Sequence, residues 1–394
     1  MQQVKQGSFA RLFMLAVILL PVLAQYHLGN ALDLDIIAML AVLLFSLLFG
    51  FRLHLPGLVL VLMGYVALVT LLNLAGGARF SSTSDIILRS GRYLVYLFIV
   101  FCLGRDGLFD YKTAMKLYRF VAYAATAYII LQAIFFYGVG ITLPNRIGGA
   151  TTDVTEEVGR LRAFYSEPAD MAYSIIPFAV CRLFGDNSTL RGNPIVDALA
   201  VTVAVILSTS GQGILCLGLM WAVFLCLMVK RGRVRLGTAA ITILGMALVF
   251  GLYEVGILEF ALGRIDTSGE TGAVSARASG YVTLSLLSPL QWLFGTGYGN
   301  YVTENVFGLD IPYEYVNYSS LAECIFTTGI IGLFLMSVLL VRLSRADGLR
   351  SRMMVLAMLF LSLGGCPLTG KYLPLYFLLT MAKEPIAQNG AEAP

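Results

Sequence analysis

The stretch RLRAFYSEPADMA, from Arg160 to Ala172, joins a polar segment to the start of an apolar one. Arg160 and Arg162 stand in the polar part, and Glu167 and Pro168 fall where the apolar pattern resumes. Proline suits the first turn of a helix, where its missing N–H removes no bond. Ser166 or Glu167 is placed to cap the amide groups that this turn leaves open. The stretch therefore predicts a helix start at Pro168, with a carboxylate and two guanidinium groups gathered beside it. Two readings follow: a capped helix with snorkelling arginines, or a site built where a loop meets a membrane.

The chain around this stretch is 58% hydrophobic and 13% charged, with a mean hydropathy of +0.82. That composition excludes an ordinary soluble domain; apolar runs of about 18 or more residues read as membrane-spanning helices. The first run follows Arg11 without a small-residue cleavage site, so it reads as a span and not as a removed signal. Spans are expected near 12–26, 36–51, 55–75, 85–104, 117–139, 168–184, 195–209, 212–229, 236–254, 318–341, 352–366 and 371–382. The seventh and eighth share one apolar block, broken at STSGQG (Ser208 to Gly213) by two glycines. The fold class is thus all-α, a polytopic bundle of about twelve spans forming a single membrane domain over residues 1–394. The six cysteines lie mostly in apolar runs without a C-x-x-C, and two histidines exclude a multi-histidine metal site.

Orientation follows from the basic residues, which concentrate on the cytoplasmic side. Placing the N-terminus inside puts 18 of the 27 Lys and Arg residues in cytoplasmic segments, including KRGRVR (Lys230 to Arg235) and RLSRADGLRSR (Arg342 to Arg352). Both termini are then cytoplasmic. The remaining nine are Arg79, Arg89, Arg92, Arg146, Arg160, Arg162, Arg264, Arg277 and Lys371, eight of them arginine. The planar guanidinium fork matches phosphate oxygens bidentately and is less strongly hydrated than an ammonium. Arg89 and Arg92 lie three apart at the outer end of the fourth span, where a charge usually marks a ligand path or a buried partner. An outer anion site is the reading these arginines favour over snorkelling.

Two outer loops, about 140–167 and 255–317, exceed what connection requires. Within the second, Val274 to Leu287 has the pattern of a helix lying on the membrane and carries Arg277. Tyr281, Trp292, Tyr298, Tyr301, Tyr313, Tyr315 and Tyr318 crowd this region; an interfacial belt or sugar-stacking faces would account for them equally. FGTGYGN (Phe294 to Asn300) is glycine-rich, but no strand precedes it, so it reads as a tight turn and not a nucleotide loop.

Four blocks in order resemble the O-antigen ligase and Wzy-type polymerase superfamily of bacterial membrane proteins. Arg162, Phe164, Glu167 and Pro168 in RAFYSEPADMA resemble its R-x-x-G-x-F-x-E-P region, with Ala163 where relatives often carry glycine. LSTSGQG (Leu207 to Gly213) resembles the lSxSRga block, with Gln212 near the usual arginine. Arg277 followed by SPLQWLFGTGYGNY resembles the R…P…GxGxgn segment, and NYSSLAECIFTTGIIGL (Asn317 to Leu333) resembles the family's opening of the next span. The set reaches from about residue 146 to 335. Ligases of the family place a histidine in the second outer loop; this chain has Tyr315, Val316 and Asn317 there, which favours the polymerase branch.

The resemblance implies a GT-C-like architecture and glycosyl transfer between undecaprenyl-pyrophosphate-linked oligosaccharides at the outer face of a bacterial inner membrane. It implies membrane lipids and a chain-length regulator as further partners, and neither nucleic acid nor a cofactor. The residues suit that chemistry independently. Breaking a sugar–phosphate bond develops negative charge that preplaced guanidinium groups stabilise, which nominates Arg89, Arg92, Arg160, Arg162 and Arg277. An acceptor hydroxyl needs a base, and with no histidine in the second outer loop the nominated groups are carboxylates: Glu167 first, Glu323 second. Tyr298 and Tyr318 are the candidate sugar-facing aromatics. Metal-independent transfer is expected. A lipid-linked-sugar flippase is the rival from another class, although transporters commonly carry internal repeats and midplane polar groups, and neither is visible here.

Overall fold

The computed structural model describes residues 2–28, 32–48, 56–77, 79–103, 109–145, 161–186, 190–230, 279–302 and 316–382. The expected span at 236–254 lies outside them, as do Arg146, Arg160, Arg264, Arg277, Tyr313 and Tyr315. The helices are α1 (Gln2–Leu23), α2 (Leu34–Leu48), α3 (Gly57–Gly76), α4 (Thr83–Leu103), α5 (Tyr111–Val139) and α6 (Pro168–Phe184). They continue with α7 (Pro194–Leu207), α8 (Gly211–Lys230), α9 (Pro289–Phe294), α10 (Ser320–Ser344), α11 (Gly348–Ser362) and α12 (Leu373–Met381). The one ladder among the described residues pairs β1 (His27–Leu28) with β2 (Leu32–Asp33), antiparallel, His27 opposite Asp33.

The chain is an all-α membrane protein: α3, α5, α8 and α10 are each long and apolar enough to cross a bilayer. All the described helices except α9 fall on expected spans, with shifted ends. One expectation needs correction. The last span is a helix of only 9 residues, which rises about 14 Å against a hydrocarbon core of about 30 Å. It cannot cross alone, and its residues Leu373 to Thr380 are buried in protein instead.

Local chemistry sets the helix ends. Asp110 caps α5 by accepting from the Thr113 amide at 3.0 Å, and Gly140 ends it in the left-handed region at φ 72°. Asn193 caps α7 ahead of Pro194, and Ser288 with Gln291 forms a capping box on α9. The predicted start at Pro168 is correct, but the Glu167 side chain makes no capping bond. The break between α7 and α8 also has a different cause from the one expected. It turns on Thr209, at φ 53°, and not on the glycines.

Helix α6 is the axis of the bundle. Every residue in it except Asp170 is buried, and α1, α5, α7, α8, α11 and α12 pack around it. The described residues 24–28 and 32–33, 79–82, 140–145 and 161–167, 208–210, 295–302 and 316–319, and 363–372 meet at one end, joined by bonds such as Gln25 Nε2 to the Phe164 carbonyl at 2.7 Å and the Ser320 amide to the Gly365 carbonyl at 2.7 Å. The opposite end is closed by Asp197, fully buried, which takes Arg182 Nε at 2.6 Å and Arg119 at 3.0 Å.

The glycine-rich turn after α9 has a structural role that its sequence does not announce. Helix α10 is interrupted at Gly329, φ 65° and ψ −171°. The carbonyls released by the break are taken up by the turn: Phe326 accepts from the Thr296 amide at 3.0 Å and Thr327 from the Gly297 amide at 2.9 Å. Tyr65 on α3 donates to the Thr328 carbonyl at 2.7 Å and lies 3.0 Å from that of Phe294. Irregular backbone within a membrane protein must satisfy its polar groups in this way. Residues 279–282 are helical and run into a 3-10 turn, Thr283–Leu286, so the described half of the expected Val274–Leu287 helix is present.

Candidate functional site

At the α6 end of the bundle two groups of polar residues face each other across residues 369–372. The first is built on the Arg160–Ala172 stretch. Its backbone is pinned from three elements: Gln132 on α5 bonds the Ala163 amide at 2.8 Å and its carbonyl at 3.2 Å, Gln25 holds the Phe164 carbonyl, and Asn145 holds the Tyr165 carbonyl at 3.0 Å. Ala163 sits at φ 50°, a left-handed conformation that side chains disfavour. A small residue or glycine is what this position accepts. Arg162 is buried and donates to the Ser166 carbonyl at 2.8 Å.

Glu167 ends the stretch exposed, with its carbonyl receiving the Met171 amide at 3.1 Å. Its carboxylate neither caps α6 nor pairs with Arg162 or any other described residue. Three residues on, Asp170 is the hub. It accepts from Lys371 Nζ at 2.8 Å and from the hydroxyls of Tyr372 and Ser166. Neither Asp170 nor Lys371 was nominated from sequence. The SEPAD spacing places Asp170 one turn from Glu167, which was the available signal.

The second group centres on Glu323, on the first turns of α10, 7% exposed. Thr369 donates to its carboxylate at 2.6 Å, and Tyr298 donates to the Thr369 carbonyl at 2.9 Å. Tyr298 stacks on Tyr93 of α4, centroids 4.1 Å apart and planes at 10°. Burial first, and then the nearby Glu323, push the Tyr298 hydroxyl well above the usual tyrosine range, so it stays a donor. Arg89 lies within electrostatic reach of Glu323, with its guanidinium 4.5 Å over the Tyr301 ring and 3.5 Å from the Gly299 carbonyl. Tyr318 contacts Tyr301 at 5.0 Å and shares a 2.8 Å hydrogen bond with Thr283.

Of the nominated residues, the structure brings Glu323, Tyr298, Tyr318 and Arg89 together, and it keeps Glu167 and Arg162 on one stretch without pairing them. It sends Arg92 elsewhere: that guanidinium pairs with Asp33 and stands 3.9 Å from Asp35, on the α2 side. Arg160 and Arg277 lie outside the described residues. Gln212, where the resembling block carries arginine, is a tie between helices. It accepts from Tyr173 at 2.5 Å and donates to the Leu361 carbonyl at 2.8 Å. Among the described residues no group of His, Cys, Asp and Glu has the arrangement of a metal site.

Asp170 holds a cation that its removal would strand. Asp170→Asn keeps the shape and the hydroxyl contacts but leaves Lys371 without its counter-charge, which costs about 1–3 kcal/mol. The expected result is a lower melting temperature for the purified protein, restored by the double variant Asp170→Asn/Lys371→Met. A double variant no more stable than the single one would show that the pair does not hold this end together.

Comparison of the chain with models of known protein families and with curated protein sequences returns no match.

Proposed function

We propose that the chain is a Wzy-type polysaccharide polymerase, a metal-independent glycosyltransferase of the bacterial inner membrane. It transfers a growing glycan from undecaprenyl pyrophosphate to the end of a lipid-linked repeat unit at the periplasmic face. The single observation that carries the reading is the exposed Glu167 carboxylate, without a hydrogen-bond or ion-pair partner among the described residues, at the start of the buried axis helix, on a backbone bonded by Gln132, Gln25 and Asn145. A general base must be accessible, fixed in position and uncommitted to another partner. Glu167 meets those conditions, whereas Glu323 is engaged by Thr369 and buried. Arg89, Arg162 and Lys371 supply positive charge at the same end, suited to a pyrophosphate leaving group. Tyr298 and Tyr318 belong to the wall on which Glu323 sits.

In this reading the bundle crosses the membrane with both termini in the cytoplasm, and the loops 140–167 and 255–317 lie outside. The connections gather alternately at the two ends, as successive spans require. The Arg119–Asp197–Arg182 network then lies at the cytoplasmic end.

A ligase that passes finished chains to a lipid A-core acceptor would use the same groups, and a flippase would use the same arginines for transit. Mass analysis of lipid-linked glycans in a deletion strain separates the three. Single repeat units accumulating at the outer face are expected. Full-length chains left on the lipid would assign a ligase, and substrate held at the inner face would assign a flippase.

A further inference from the structure

We infer that the outer face of α5 is a binding site for one anionic phospholipid, with the headgroup on Lys112 and Lys116 and the chains along Phe120, Ile130 and Ile134. The reaction proposed above uses nothing on this face, and the inference does not rest on it. Helix α5 is 29 residues long, and one side of it changes chemistry along its length. Lys112, Lys116, Arg119 and Tyr123 recur at intervals of four, three and four, which aligns them on a helix. Ile130, Ile134 and Tyr137 continue the same line, and Phe120 stands beside it. Phe120 is 73% and Ile134 59% exposed, so this side turns away from the bundle. From Lys116 to Tyr137 the helix rises about 32 Å, against a hydrocarbon thickness of about 30 Å. Cations at one edge, rings just inside it, aliphatic groups beyond and a tyrosine at the far edge follow the order in which a bilayer presents phosphate, interface and hydrocarbon.

The basic end carries more positive charge than its own structure consumes. Lys112 and Lys116 are exposed, and neither has a hydrogen-bond or ion-pair partner among the described residues. Asp110, the carboxylate nearest to them in sequence, is engaged in capping α5 through the Thr113 amide. Arg119 is turned sideways. It pairs with Asp197 at 3.0 Å, donates to the Arg191 carbonyl at 2.6 Å and lies 5.4 Å from the centre of the Tyr123 ring. The Tyr123 hydroxyl also donates to Asp197, at 2.7 Å. Asp197 answers both Arg119 and Arg182, so this network keeps one net positive charge. Arg191, exposed on the turn between α6 and α7, adds another.

The network thus fixes the Tyr123 ring and the neighbouring turn, while the two lysines stay available. A zwitterionic headgroup neutralises its own phosphate; one with a net negative charge matches the excess here. Each lysine near a membrane surface is worth about fivefold in affinity for such a headgroup. What the lipid holds is α5 itself, the helix whose Gln132 bonds the backbone of Ala163.

The test is native mass spectrometry of the full chain in a neutral detergent, titrated with phosphatidylglycerol and, separately, with phosphatidylcholine of the same chain length. The wild-type protein is expected to retain one phosphatidylglycerol in clear preference to phosphatidylcholine. Lys112→Gln/Lys116→Gln should bind it roughly 25-fold more weakly, from about fivefold for each lysine. Lys112→Arg/Lys116→Arg should keep the affinity. Both side chains are exposed and unpaired among the described residues, so neither variant endangers the fold. Arg345→Gln/Arg352→Gln removes the same charge from exposed positions around the turn between α10 and α11, and it should leave the preference intact. Equal retention of the two lipids by the wild-type protein would overturn the site, and so would a lysine-to-glutamine variant of unchanged affinity. A control that loses as much as that variant would reduce the effect to diffuse surface charge and overturn the site as well. The readout is lipid binding, so a glycan profile that removes the polymerase reading leaves this result untouched.

Discussion

Glu167→Gln is expected to lower turnover of lipid-linked repeat units by about 10²–10⁴, the usual cost of losing a general base. The amide matches the carboxylate in size and cannot accept the proton of the attacking hydroxyl. Donor binding should change little, since the positive charge at this end comes from Arg89, Arg162 and Lys371. The structure makes the substitution unusually clean. Glu167 is exposed, its side chain makes no capping bond, and only its backbone carbonyl serves α6. Its loss should therefore alter folding stability by no more than about 0.5 kcal/mol. A purified-enzyme assay with lipid-linked repeat units decides the matter. Turnover near that of the wild-type protein would move the base to Glu323 or to the substrate's own phosphate.

Gly295→Ala should abolish the folded protein, with a penalty of at least about 3 kcal/mol from backbone strain alone. Gly295 holds φ 83° and ψ −179°, a region that is in practice restricted to glycine. A Cβ there would stand 2.3 Å from the Thr327 carbonyl oxygen and 2.5 Å from the Thr328 amide. Those are backbone atoms of the broken helix and cannot rotate aside. Moving them would undo the bonds from Thr296 and Gly297 that satisfy the carbonyls of Phe326 and Thr327. Unsatisfied carbonyls in a lipid-embedded helix cost several kcal/mol each. Membrane-inserted, monodisperse protein should be nearly absent for this variant. Gly138→Ala, in an open stretch of α5, is the control and should be recovered at wild-type levels. Normal recovery of Gly295→Ala would mean that the turn does not dock on α10 as described.

Much of the scaffold was legible in the chain because its causes are local. An apolar run either is or is not long enough to bury itself in hydrocarbon, and this depends on neighbouring residues alone. Pro168 after Ser166 and Glu167 specified where α6 begins. The small residue at position 163 was also visible, although its reason, φ 50°, was not.

The partnerships that make a site were not legible, because each joins residues far apart in sequence. Arg89 and Arg92 have equivalent positions on paper, yet one turns to Gly299 and Tyr301 and the other pairs with Asp33. Asp170 becomes a hub only when Lys371 and Tyr372 arrive about two hundred residues later. The glycine-rich turn gave its flexibility to the reader but not its target, a helix broken at Gly329. Sequence by itself determined that this chain is helical and apolar, since hydropathy and propensity act within a few residues. Tertiary structure alone decided which charges are spent on one another, as Asp170 on Lys371 and Arg92 on Asp33, and that Glu167 stays unpaired among the described residues, because that depends on how distant helix ends pack against α6.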